Sequence, residues 1–163
     1  MADSIDLLIR ILNEAFDRKS WHGTNLRGSI RGLDVQQASW RPQPERHNIW
    51  EHVLHCAYWK YTVRRRLTGE KRGSFALKGS NWFERPTATD RSESSWKDAV
   101  DLLTENHRQL LASIQELSSD QLNKPAAGGD TSILTLVTGI AAHDIYHAGQ
   151  IQLLKKLTSA KKS

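Results

Sequence analysis

The sequence predicts an all-α protein, on three observations: four segments carry a helical period, strand signals are almost absent, and two of the intervals between the segments are long and rich in turn residues. No stretch sustains apolar alternation with β-branched residues, and no Asn-Gly or Asp-Gly pair joins two such stretches. In the first segment Ile5, Leu8, Leu12 and Phe16 recur at i, i+3, i+7 and i+11, which predicts an amphipathic helix over roughly 3–19. The second runs from about Asn48 to Leu67: Pro42 and Pro44 exclude an earlier start, and Gly69 can take the left-handed cap conformation. The third places Trp96, Ala99, Val100, Leu103, His107, Leu110, Ile114 and Leu117 at helical spacing behind Ser92, Ser94 and Ser95. The last starts near Asp130, Thr131 or Ser132, each a competent N-cap, and continues to about Leu157 before a Lys-rich tail.

Four such helices predict a four-helix bundle that buries one stripe from each, in a single domain spanning 1–163. The intervals 20–47 and 69–91 are too long for tight antiparallel turns and long enough to cross the bundle's length, whereas Ser118–Gly129 is shorter. Long connections tend to rim a site, and the second contains Phe75, Trp82 and Phe83, aromatics a purely solvated loop would not favour.

Composition agrees and narrows the class. The chain has 163 residues, 38% hydrophobic and 25% charged, a length that buries about 70% of the unfolded surface without staples. The lone Cys56 cannot form an intrachain disulfide and no charged-then-apolar leader opens the chain, so a reducing cytoplasm is expected. The longest mostly apolar stretch, Ile133 to Ala142, falls short of the ~20 residues a bilayer requires, so no membrane partner is expected. A net charge of +5 is a modest excess, and its one dense run, Arg64 to Arg66, reads as a solvated helix end; nucleic acid is therefore not expected as a partner.

The chemistry lies in the histidines. His143 and His147 stand one turn apart, with Cβ atoms about 5–6 Å from each other, and share an inward stripe with Leu136, Ile140 and Leu154. Two buried imidazoles either share a metal ion or find hydroxyl partners across the bundle. The stretch His143-Asp144-Ile145-Tyr146-His147 approaches the zincin pattern H-E-x-x-H, with Asp where that pattern has its general base. A third ligand must come from another helix. His52 and His55 both lie off the apolar centre of the second helix, His52 farther, while His107 faces inward on the third as a rival ligand or a hydrogen-bonded core histidine. Periodicity does not choose among them.

The runs His47-Asn48-Ile49-Trp50-Glu51-His52-Val53-Leu54-His55-Cys56-Ala57-Tyr58-Trp59 and His143-Asp144-Ile145-Tyr146-His147-Ala148-Gly149-Gln150-Ile151 resemble the DinB-like superfamily of metal-dependent enzymes. Ser39-Trp40-Arg41-Pro42, the Thr68-Gly69 exit and Leu117-Ser118-Ser119-Asp120-Gln121-Leu122 are similar to that family's layout, so the resemblance covers most of the chain. It implies an up-down-down-up bundle, a frequent homodimer, and a metal site formed by His55, His143 and His147, with His47 and His52 outside the ligand set. Three neutral imidazoles suit a divalent transition metal, zinc or nickel foremost, and leave a position open.

An open metal position activates water for hydrolysis of a small molecule, or activates a thiol. Relatives in the family include transferases of the low-molecular-weight thiols bacillithiol and mycothiol, so metal-dependent thiol transfer stands beside hydrolysis. A non-enzymatic bundle that binds nucleic acid or protein is the third class. No residue is singled out as catalytic. Glu51, four before His55, either orients that imidazole or forms a surface salt bridge; Asp144 reaches a neighbouring helix or solvent; Trp59 and Tyr146 pack near the site; and Cys56 reads as a small buried hydrophobe.

Overall fold

The computed structural model describes residues 4–160. Among them are six α-helices, one 3-10 turn and no strand: α1 (Ser4–Phe16), α2 (Leu26–Ile30), α3 (Val35–Ser39), α4 (Ile49–Thr68), α5 (Glu93–Gln115) and α6 (Ile133–Ala160), with the 3-10 turn at Ser119–Gln121. The ends of the predicted segments follow from local chemistry. Asn48 caps α4 by accepting from the Glu51 amide at 2.9 Å while the Glu51 carboxylate accepts from the Asn48 amide at 3.2 Å. Gly69 closes that helix at φ 75°. Ser92 caps α5 and the Ser132 hydroxyl accepts from the Thr135 amide at 3.2 Å, settling the three candidate caps of α6 on the last. α1 stops short of 19 because the Asp17 and Arg18 amides both turn back onto the Asn13 carbonyl, at 2.9 and 2.8 Å. Its expected start at residue 3 and Lys161 and Lys162 of the tail lie outside the described residues.

The interval 20–47 is not a bare connection. It holds α2, capped by Asn25, and α3, capped by Asp34 and Gln37, each too short to show a period. Together they bury Leu26, Ile30 and Ala38 against the same core as Trp50 and Trp96, and the Trp96 indole donates to the Leu33 carbonyl at 3.0 Å. The interval 69–92 remains irregular.

α4 packs against α5 and α6, and α1 packs against α6 and α5. The interior is divided into two apolar clusters. One gathers Phe16, Trp50, Trp96, Leu103 and Ile151, and the other gathers Leu12, Val63, Leu110, Ile114, Val137 and Ile140. Among the buried polar side chains, Lys60 and Asp144 form an ion pair at 0% exposure of either side chain. Burial raises the Asp144 pKa and the Lys60 charge opposes that rise. No helix among the described residues is long and apolar enough to cross a membrane.

His107 is inward, as its place on the stripe requires, but it is not the hydrogen-bonded core histidine the sequence suggests. Neither ring nitrogen has a hydrogen-bond partner among the described residues. The ring instead stacks on Phe16, with centroids 3.7 Å apart and planes 14° apart. Burial, helped by the nearby Lys60 charge, holds its pKa down to about 2. A folded-state pKa below the unfolded value of about 6.5 means that the unfolded chain binds the proton first, so stability present above pH 6.5 is lost as pH falls. Between pH 7 and pH 5 the parent protein is expected to lose about 2 kcal/mol more than His107→Leu in denaturant unfolding; equal losses would remove His107 as the cause.

Candidate metal centre

The site is assembled where α4 crosses α6. His55 projects from the first half of α4, and His143 and His147 project from one face of α6. The Nε2 atom of His143 lies 3.1 Å from Nε2 of His55 and 3.1 Å from Nε2 of His147. His55 and His147 are buried and His143 is half-buried. Burial, followed for His143 by the neighbouring His147 and His55 charges and for His147 by His55, lowers His143 to about 3 and His147 to about 4. Burial likewise lowers His55, partly opposed by its bond to the Asn81 carbonyl. All three rings are therefore neutral near pH 7, the form that ligates metal.

The outer nitrogens decide which atoms face inward. His55 Nδ1 donates to the Asn81 carbonyl at 2.9 Å, which leaves its Nε2 lone pair pointing at the centre. His147 Nδ1 sits 3.1 Å from Nδ1 of His52; with the proton on His147, its Nε2 is also a bare acceptor. Two acceptor lone pairs thus converge on His143 Nε2, whose single proton can serve only one of them, whereas a cation would serve all three nitrogens, and 3.1 Å is a spacing two nitrogens can take about 2.0–2.1 Å from one ion. The cluster of His55, His143 and His147 could thus hold a metal ion.

The surroundings bear on several expectations. His52 is 6% exposed and so not a surface residue; it stands beside the three-histidine cluster, with its Nδ1 3.1 Å from Nδ1 of His147, and burial, then His147, lowers its pKa to about 3. Glu51 does not touch His55 and is not a surface ion pair. Its carboxylate, 2% exposed as a residue, receives the Arg41 guanidinium, the Arg85 amide at 3.1 Å and the Asn48 amide at 3.2 Å, and lies 3.1 Å from His47 Nδ1. Burial would raise its pKa, but these bonds outweigh it and hold the group below the ordinary carboxylate range. Glu51 thereby ties the loop around Arg85 to the start of α4. Asp144 reaches a neighbouring helix, where Lys60 takes it, so it is not placed as the zincin base. Cys56 is fully buried, and burial followed by the Asp144 charge pushes its thiol up. Trp59 does border the centre, its ring 6.3 Å from that of His143, while Tyr146 is 65% exposed with its ring 5.1 Å from His147.

Two residues from the irregular interval complete the wall, and the sequence marked only one of them. Trp82 is sandwiched between His47, at 3.6 Å and 5°, and His55, at 3.9 Å and 12°. Asn81 adopts φ 65°, uncommon outside glycine, which turns its carbonyl onto His55 while its side-chain oxygen accepts from the Trp59 indole at 3.0 Å. A largely apolar cavity of about 180 Å³ is lined by Trp59, Val63, Leu136, Ile140 and His143, with Arg66 also on its wall. A groove of about 510 Å³ runs along His47, His52, Trp82 and Leu153 on another side.

The arginine run is not simply solvated. All three residues are half-buried. Arg64 pairs with Glu70 at 2.6 Å, Arg65 donates to the Glu70 carbonyl at 3.3 Å and Arg66 donates to the Ala127 carbonyl at 3.0 Å.

The model of the DinB superfamily matches residues 19–151, a span that contains all three histidines. The chain belongs to the DinB superfamily. Among solved structures it is similar to a conserved protein from Enterococcus faecalis, at 14% identity and a TM-score of 0.68, over 96% of this chain and 98% of that one. It is also similar to the colibactin self-resistance protein ClbS, solved in complex with a double-stranded DNA, at 19% identity and a TM-score of 0.60 over the same shares. No curated protein matches the chain significantly. At these identities the two structures speak for the fold, and the DinB assignment rests on the superfamily match.

Proposed function

We propose that this DinB-superfamily chain is a metal-dependent enzyme acting on a small molecule, with His55, His143 and His147 as ligands of a divalent transition ion, zinc or nickel, and hydrolysis as its reaction. The observation that carries this reading is the convergence of three imidazole Nε2 atoms, from two buried histidines and one half-buried one, with no carboxylate among them. When bound, such an ion supplies a Lewis acid that activates water, or a thiol, near neutral pH. The chain's own residues provide the rest. Asn81 and His52 hold the tautomers of His55 and His147, Trp82 and Trp59 shield the imidazoles from water, and the largely apolar cavity that His143 helps to line offers room for a small uncharged group. In this reading the four long helices form an up-down-down-up bundle. The pairing of His52 with His147 and of Lys60 with Asp144 supports antiparallel α4 and α6, and Trp50 against Trp96 supports parallel α4 and α5.

Thiol transfer differs from hydrolysis only in the nucleophile, so the metal-loaded protein is to be assayed on ester, amide and alkyl-halide substrates with and without a low-molecular-weight thiol. Turnover without thiol supports hydrolysis, turnover only with thiol supports transfer, and no turnover of any class by protein with full metal content would remove the enzymatic reading. ClbS, with its bound duplex, favours DNA contact as a second reading and runs against the expectation that nucleic acid is not a partner. A duplex affinity that falls steeply with salt would support it, and no binding at low salt would end it. A homodimer also belongs to the proposal, supported by the exposed Ile145, Leu153 and Leu157 of α6; light scattering that reports the 18.5 kDa monomer would refute it.

A further inference from the structure

A further cavity is lined in part by Arg72 and Lys78 of the interval that carries Asn81 and Trp82. It measures about 540 Å³, and neither its walls nor its rim includes any of the three clustered histidines. Its aromatic side is built from Tyr58, Tyr61 and Phe75, with Phe75 5.3 Å from Tyr58 and 5.4 Å from Tyr61 between ring centroids. Its polar side carries Arg65, Arg72 and Lys78, and no carboxylate lines it. The nearest acidic residue in sequence, Glu70, is engaged by Arg64, and Arg65 donates to the neutral Glu70 carbonyl at 3.3 Å. Arg72 and Lys78 form no ion pair among the described residues.

The arrangement is held from below. The Tyr61 hydroxyl, on a side chain that is buried, accepts from the Gly73 amide at 3.1 Å. Gly73 sits at φ 113°, a conformation that L side chains rarely adopt, and the chain thereby bends over the tyrosine and brings Arg72 and Phe75 to the same cavity. Three cations around one concavity repel one another, and a multiply charged anion relieves that repulsion. Two guanidinium forks with a lysine point charge suit a phosphate dianion, which accepts bidentate hydrogen bonds on several oxygens. The aromatic edges and faces beside them suit a planar ring, and the volume falls in the range of small-molecule sites.

We propose that this cavity binds a small phosphate ester bearing a planar ring, of about the size of a mononucleotide. The site is independent of the metal-centre reading, because none of its residues holds an imidazole of that centre.

The test is calorimetric titration of the full chain at low salt with three probes, adenosine monophosphate, phenyl phosphate and inorganic phosphate, repeated on Arg72→Gln and Lys78→Gln. Both substitutions fall on exposed side chains of the loop, and an unchanged melting curve and unchanged metal content show that each variant is folded with its histidine cluster intact. The expected result is that at least one ring-bearing phosphate binds about ten-fold or more tightly than inorganic phosphate, and that each substitution weakens it about ten-fold, the scale of one lost charge-assisted contact. Preference for the nucleotide over phenyl phosphate would identify a nucleoside source, and the reverse a simple aryl phosphate. The proposal is overturned if no organic phosphate exceeds inorganic phosphate, or if neither substitution weakens binding. It is equally overturned if a DNA duplex binds in an Arg72-dependent way while all three small probes fail.

Discussion

The parent chain is expected to take up near-stoichiometric zinc or nickel, and protein carrying His143→Ala or His55→Ala to lose it. Each substitution removes one of the three clustered Nε2 atoms, of which those of His55 and His147 each lie 3.1 Å from that of His143, and two imidazoles alone do not close the site. His147→Ala should behave alike. His52→Ala is the more informative variant. It deletes no member of the cluster but frees the Nδ1 of His147, so metal affinity should fall by about 10–100-fold, the usual cost of removing an outer partner of a ligating histidine. Elemental analysis of protein purified without a histidine tag reads all four variants, and competition with a chelator gives the affinity of the His52→Ala protein. The melting curve of each variant separates loss of metal from loss of fold. A parent chain that takes up neither zinc nor nickel, or a His55→Ala protein that binds as the parent does, would show the assignment to be wrong.

The second large effect concerns stability and lies one turn away from the metal centre. Lys60→Met is expected to destabilise the protein by about 3–5 kcal/mol, because it leaves the Asp144 carboxyl without its partner and without solvent in the interior. For a domain of this length that corresponds to a fall in Tm of about 6–20 °C. Lys60→Met combined with Asp144→Leu should recover most of the loss, since replacing both members of a buried pair by apolar groups is often close to neutral. Denaturant unfolding of the two single variants and the double variant closes the cycle. If the double variant is as unstable as the sum of the singles, the pair is not coupled and the argument fails. Lys60 also sits 5.0 Å from the centroid of the Phe16 ring, against which His107 stacks, so its charge bears on the acid sensitivity of His107 as well.

How much of this could be read without coordinates depends on the range of the interaction. The ends of α4 and α5 follow from Asn48, Gly69 and Ser92, because a cap is formed by residues within one turn of each other. The pairing of His143 with His147 is legible for the same reason. α2 and α3 escaped because five residues show no period, although Asn25 and Asp34 carried the cap signal. Glu51 is instructive: its spacing from His55 suggested a partner on the same helix, yet its actual partners are a cap amide, Arg41 and the Arg85 backbone, the last two contributed from outside the helix. Spacing along one helix reports which residues share a face and is silent about what approaches that face.

The all-helical class, the four long helical segments and the inward position of His143, His147 and His107 are properties of short stretches of chain, set by hydrophobic period and capping chemistry within a few residues. Periodicity left His52 and His55 open and the motif resemblance pointed to His55, but the seating of His52 on His147, the Trp82 sandwich and the burial of Lys60 against Asp144 required the folded chain. Each of these joins groups that are between 26 and 95 positions apart or depends on the turn of an irregular loop. Their distances are decided by how helices pack and where loop backbone is forced, which no local pattern encodes.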